Sequence, residues 1–270
     1  MHLKRWITGI IAVPILVSLI GFAPRWMFYS LVWLVSFGGL LEFYRMTSPE
    51  LSPFMSWSIA AVTSVLFLLL GLREFYLAFG FIPLLVILAM ILFVFSHRSI
   101  TAENTGLLAK ALLGAIYITL PLSLFLLIDR FPGGKFWIFF LLTVIFSSDM
   151  GAFYFGRLFG SHKLCRRLSP GKTWEGAVGG LLSSVFAAAF FSRLFPLGQP
   201  TIRMLVLGGG ICIAGQLGDL SESMLKRNHA QKDSGRILPG HGGILDRIDG
   251  LLFGIPVLYW YLSFVAVSGG

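Results

Sequence analysis

Apolar residues run along this chain in blocks of about twenty, broken by short charged segments, the spacing of helices that each cross roughly 30 Å of hydrocarbon. The pattern predicts spans at Trp6–Phe22, Met27–Tyr44, Phe54–Leu72, Phe75–Ser96, Leu107–Ile128, Phe136–Phe155, Gly176–Phe195, Met204–Gly218 and Leu251–Val267. The expectation is therefore an all-α, polytopic integral membrane protein of about nine transmembrane helices. Pro14, Pro83 and Pro121 fall inside predicted spans, where neighbouring helices and side chains can satisfy the freed carbonyls. The first run ends at Gly21-Phe22-Ala23, which superficially resembles a signal-peptide cleavage site. Pro24 follows at once and disfavours cleavage, so this run is read as a retained span.

Composition agrees: of 270 residues, 56% are hydrophobic and 12% charged, which excludes a water-soluble fold. The net charge of +9 gains meaning only once it is located. With nine spans, fifteen of the 21 basic residues fall on the side of the N-terminus and six on the other, so the N-terminus is expected in the cytosol. Both long polar loops of the second half then face the cytosol, where nucleoside triphosphates are found. The positive excess is read as loop charge, with no nucleic-acid partner. Cys165 and Cys212 show no metal-ligand or disulfide spacing and are read as packing residues. Two regions follow: N-terminal transmembrane helices over 1–130, and a catalytic transmembrane region over 131–270 with two basic cytosolic loops.

The acidic residues are scattered in the first half and gathered beside the basic loops in the second. A carboxylate in a membrane costs roughly 2.5–3.5 kcal/mol on insertion scales, so it usually faces a partner or a wet cavity. Asp149 lies toward the cytosolic end of the sixth run, where it faces such a cavity or snorkels to water. Asp219, Glu222, Ser223 and Lys226 are spaced i, i+3, i+4, i+7 and share one helical face. The Gly/Pro-interrupted KDSGRILPGHGG follows, and ILDRIDG then resumes helix with Asp246 and Asp249 one turn apart near its start. Asp219, Asp246 and Asp249 on two helices suit a hard divalent cation, with Mg²⁺ the natural choice. The same residues would also serve as helix-end carboxylates paired with Lys226 and Arg247. His241 has no second histidine at ligand spacing and is assigned no metal. The loop GRLFGSHKLCRRLSPGKTWEGAVGG contains GKT, but the GxxxxGK[ST] spacing of a Walker loop is absent. Its five basic residues suit lipid headgroups, a nucleotide, or both.

SMLKRNHAQKDSGRILPGHGGILDRID, from Ser223 to Asp249, resembles the signature of phosphatidate cytidylyltransferases (CDP-diacylglycerol synthases). GDLSES, LSPGKTWEG and DMGAFYFGR are similar to further blocks of that family, so the resemblance covers roughly residues 145–250. Met150, Ala230 and Gly250 depart from the family's usual residues, and none of these departures removes a charge. The resemblance implies transfer of CMP from CTP to phosphatidic acid, a Mg²⁺ requirement and a homodimer. It implies Asp219, Asp246 and Asp249 as metal ligands, with Asp149 a fourth candidate and Lys226 catalytic. Ser169, Lys172 and Thr173 would close over the nucleotide, and Ser223, Arg227, Lys232, Arg236 and Arg247 would hold phosphates. The lipid phosphate is already anionic at neutral pH, so no nucleophilic side chain is expected. The short N-terminus favours a bacterial plasma membrane, with the active site facing the cytosol. A CTP-dependent lipid-alcohol kinase and a secondary transporter are the rival readings; the transporter predicts repeated halves, and none is evident.

Overall fold

A computed structural model describes residues 13–96, 102–195, 197–235 and 242–268. The protein is an all-helical polytopic membrane protein, and among the described residues eight helices are long and apolar enough to cross a bilayer. They begin with α1 (Arg25–Thr47), α2 (Pro53–Gly71) and α3 (Phe75–Ser96). The fourth crossing joins α4 (Ala102–Gly114), a π-helical stretch Ala115–Thr119 and α5 (Leu120–Ile128). Then come α6 (Gly134–Phe159), α7 (Trp174–Leu194), α8 (Thr201–Asn228) and α9 (Leu245–Ser268). Residues 13–21 are also helical; residues 6–12 of the expected first span lie outside the described residues.

Local chemistry sets several of these boundaries. Ser52 caps α2 by accepting from the Met55 N–H at 3.2 Å, with Pro53 in the first helical position, where a missing N–H costs nothing. Thr173 does the same for α7, accepting from Gly176 N–H at 3.1 Å. The π-helical stretch stands immediately before α5, where Pro121 has no N–H to give the carbonyl of Tyr117 and the turn widens. Pro83 and Pro256 are carried inside α3 and α9.

The chain divides into two compact units, Met1–Leu127 with His229–Arg247, and Ile128–Asn228 with Ile248–Gly270. In the first, α1 packs on α2, and α4 and the π-helical stretch pack on α1. Gly114 lies against the Phe43 ring, and the buried Tyr44 hydroxyl donates to the Ala111 carbonyl at 2.9 Å. Lys110 donates to the Thr47 carbonyl at 3.0 Å, so a basic group covers the last turn of α1.

In the second unit α6 runs along α7, and α7 packs on α8. The α6–α7 seam is made of small residues: a Cβ on Gly151 would strike Ser183, one on Gly176 would come within 2.8 Å of the Ala152 carbonyl, and one on Gly180 within 2.9 Å of the Ser148 carbonyl. This is the close backbone approach that small residues permit in membranes. Ser184 adds a hydrogen bond to the Val144 carbonyl at 3.1 Å. Between α6 and α7 the basic loop forms a short antiparallel hairpin, β1 (Lys163–Cys165) and β2 (Ser169–Thr173). No strand was expected there. Both cysteines are free thiols, and buried Cys212 lies 3.1 Å from the Ser148 hydroxyl.

Candidate active site

The hairpin leads directly into α7, so Thr173 both ends β2 and caps the helix. Glu175, in the first turn of α7, accepts from the His162 N–H at 3.1 Å and meets the His162 ring nitrogen Nδ1 at 2.6 Å. The His162 carbonyl accepts from Trp174 N–H at 2.9 Å. These bonds pin the hairpin to the helix it precedes. Lys172, next to the cap, lays its ammonium 2.5 Å from Asp219 Oδ2 on α8. Arg227, near the end of α8, donates to the Leu168 carbonyl at 3.3 Å and fastens the other side of the hairpin.

A cavity of about 630 Å³ opens beside this arrangement, lined by Asp149, Arg157, Lys172, Thr173, Gln216 and Asp219 together with apolar residues such as Phe153 and Leu164. Its volume is that of a small-molecule site, and its wall mixes apolar surface with a few converging polar groups.

Next to the cavity, Asp219, Glu222 and Asp249 each offer a carboxylate oxygen, all within 4.8 Å of one another. Asp219 and Glu222 are one turn apart on α8, and α9 supplies Asp249. Glycine makes the meeting possible: a Cβ on Gly218 would lie 2.5 Å from the Asp249 carbonyl oxygen, and Gly215 faces the Gly250 backbone. Glu222 is 2% exposed and hydrogen-bonded to Lys226 at 2.5 Å, while Asp219 is ion-paired with Lys172. Asp249 accepts from the Gly250 N–H at 2.8 Å. Three carboxylates this close repel one another unless cations intervene. An all-oxygen set on two helices is the donor chemistry that hard divalent ions take.

The expected site residues divide between the two units. In the second, Asp149, Lys172, Thr173 and Asp219 share the cavity wall, Lys226 bonds Glu222, Ser169 is half-buried on β2, and Ser223 is buried on α8. In the first, Asp246 Oδ2 accepts from Ser234 N–H at 3.0 Å, the Ser234 hydroxyl at 3.0 Å and Gly243 N–H at 2.9 Å. Asp246 is not among the three carboxylates that meet. Lys232 and Arg247 are exposed, and Arg236 and His241 lie outside the described residues. Sequence reasoning left Glu222, Arg157 and Gln216 out of the site. Glu222 was visible on the Asp219 face, one turn away, and Arg157 falls two turns after Asp149 on α6.

A multi-span helical protein whose largely apolar cavity brings Lys172 and Arg157 to its wall beside clustered carboxylates has the makings of a membrane enzyme for anionic substrates. The chain belongs to the cytidylyltransferase family, whose model it matches over residues 3–265. It is 34% identical to a phosphatidate cytidylyltransferase of Bacillus subtilis over 96% of this chain and 97% of the relative. It is also 37% identical to a phosphatidate cytidylyltransferase of Brucella suis over 83% of this chain and 80% of that one. An uncharacterised protein of Escherichia coli, YnbB, is 32% identical over 98% of this chain and 87% of its own length.

Proposed function

We infer that this chain is a phosphatidate cytidylyltransferase, transferring CMP from CTP to phosphatidic acid to give CDP-diacylglycerol and pyrophosphate. The observation that carries the reading is the joining of two things in one unit: a nucleotide-sized cavity lined by Lys172, Thr173 and Arg157, and three carboxylates beside it. Relatives of that name align with nearly the whole chain.

The two substrates together bring about five to six negative charges, so charge compensation dominates the chemistry. An oxygen of the lipid phosphate attacks the α-phosphorus, the α–β phosphoanhydride bond breaks, and pyrophosphate leaves. The attacking oxygen already bears charge, and no side chain has to remove a proton. Mg²⁺, when bound, would neutralise developing charge on the phosphate oxygens. Asp219, Glu222 and Asp249 are the residues we assign to hold it, with Asp149 contributing from the cavity wall. Asp246, expected as a ligand from the sequence, is assigned to loop order on α9, because Ser234 and Gly243 engage its Oδ2. Lys172 and Arg157 draw the nucleotide's phosphates, Thr173 shapes that side of the cavity, Ser169 on the same strand closes over the nucleotide, and Ser223 backs the α8 face. Lys226, Arg227, Lys232, Arg236 and Arg247 supply the remaining positive charge for the triphosphate and the lipid phosphate. The reading places the N-terminus and the cavity mouth on the cytosolic side of a bacterial plasma membrane, in a homodimer.

Purified protein in detergent, given phosphatidic acid, Mg²⁺ and CTP labelled at the α-phosphorus, should move the label into a CDP-lipid and release unlabelled pyrophosphate. Lipid that gains label only from γ-labelled CTP would establish a kinase instead.

A further inference from the structure

The first half of the chain contains a carboxylate that the reaction described above does not use. Glu42 lies five residues before the end of α1 and is 2% exposed. Its Oε2 accepts the Leu245 N–H at 2.9 Å, across 203 residues of sequence. Leu245 is the first residue of α9, so Glu42 satisfies one of the amide hydrogens that every helix start leaves without an intrahelical partner. This is the work of an N-cap residue, done by a side chain from another helix.

The surroundings are built for that contact. Gly38, Gly39 and Glu42 share one face of α1, and the Ile244 and Leu245 side chains rest on the two glycines. A Cβ on Gly235 or on Gly243 would overlap Glu42 Oε1, so the loop closes on the carboxylate only because both residues lack one. Asp246 completes the arrangement by gathering Ser234 and Gly243 onto the first turn of α9.

We propose that Glu42 is a positioning residue: it fixes the start of α9, and with it the direction in which that helix presents Asp249 four residues beyond Leu245. The proposal rests on the assignment of Asp249 to the metal and deepens it. Helix starts fray when their amide hydrogens lose their acceptors, and a ligand on a fraying turn loses its aim.

The test uses full-length E42L and E42Q in detergent, with hydrogen–deuterium exchange over residues 242–250 and the Mg²⁺ concentration giving half-maximal CDP-lipid formation. E42L, which has no acceptor, should exchange the Leu245 amide faster and raise the Mg²⁺ requirement about tenfold. E42Q keeps a carbonyl oxygen for Leu245 and should lie between E42L and the parent in both. If E42L does not fold, E42Q decides. Parental exchange rates in the folded variants overturn the cap; faster exchange with a parental Mg²⁺ requirement overturns the positioning role. Exchange is read without substrates, so a parent protein that makes no CDP-lipid would refute the assigned reaction while still reporting on the cap.

Discussion

Asp249 shares its surroundings with Asp219 and Glu222, and two lysines already attend those neighbours. Replacing it by asparagine keeps the shape and the acceptor for Gly250 N–H but removes one of three anions. D249N is expected to elute and melt like the parent and to form CDP-lipid about 10²-fold more slowly, the scale for losing one preorganised electrostatic group. Lys172 makes a different prediction because it faces the cavity. K172M should raise the KM for CTP about tenfold, the equivalent of one lost charge-assisted contact at about 1.4 kcal/mol, with a smaller effect on kcat. Steady-state kinetics at saturating lipid separates the two parameters. At this scale the sequence was partly legible. Asp219, Glu222 and Lys226 could be placed on one face from their spacing alone, since i, i+3 and i+7 fix that geometry. That Glu222 is the buried member could not be read, because its burial depends on how α8 packs. Glu42 was one of several scattered carboxylates, and a hydrogen bond spanning 203 residues leaves no mark on local periodicity.

The helices themselves were legible because each needs enough apolar length to cross the bilayer. The predicted Phe75–Ser96 coincides with α3, and most other spans gained a few residues at their ends. The exception is α8, which continues to Asn228, ten residues past the predicted end of its apolar run. Hydropathy stops at the membrane surface, whereas backbone hydrogen bonding does not, and the polar extension carries Asp219 and Glu222. The hairpin was not legible: β1 has three residues, and the charged LCRRLS turn gives no alternating pattern. Packing between elements can be tested at Gly218. Alanine there should improve intrinsic helix propensity by up to about 1 kcal/mol, yet its methyl would meet the Asp249 carbonyl. Overpacking of this kind costs about 1–3 kcal/mol, so G218A is expected to melt lower and lose activity. G209A is the control: its Cβ would find Leu181 at 3.6 Å, an ordinary contact, and should leave melting unchanged or slightly higher. Thermal unfolding of both variants in one detergent reads the difference.

Across the whole molecule, the uneven distribution of lysine and arginine yields a prediction about sidedness. Cys165 is half-buried on the hairpin, while Cys212 is fully buried in α8. In right-side-out vesicles a membrane-impermeant maleimide should leave the protein unlabelled, and in inverted vesicles it should label Cys165. Labelling of right-side-out vesicles at Cys165 would place the hairpin outside and reverse the topology. The division into two compact units was less apparent from the sequence, because the segment His229–Arg247 belongs with helices nearly two hundred residues earlier. Hydrophobic patterning reports what meets lipid, and it is silent on which polar loop folds back on which helix.

The Lys172–Asp219 pair bears on how the enzyme fills. At rest the ammonium shields Asp219. An arriving triphosphate that draws the ammonium toward itself leaves that carboxylate more negative and more receptive to a divalent ion. By reciprocity, an ion seated first would loosen the lysine for the nucleotide. Loading should thus be synergistic, visible in calorimetry as tighter uptake of either component when the other is present, and a cell short of one would rarely strand the enzyme half-charged with the other.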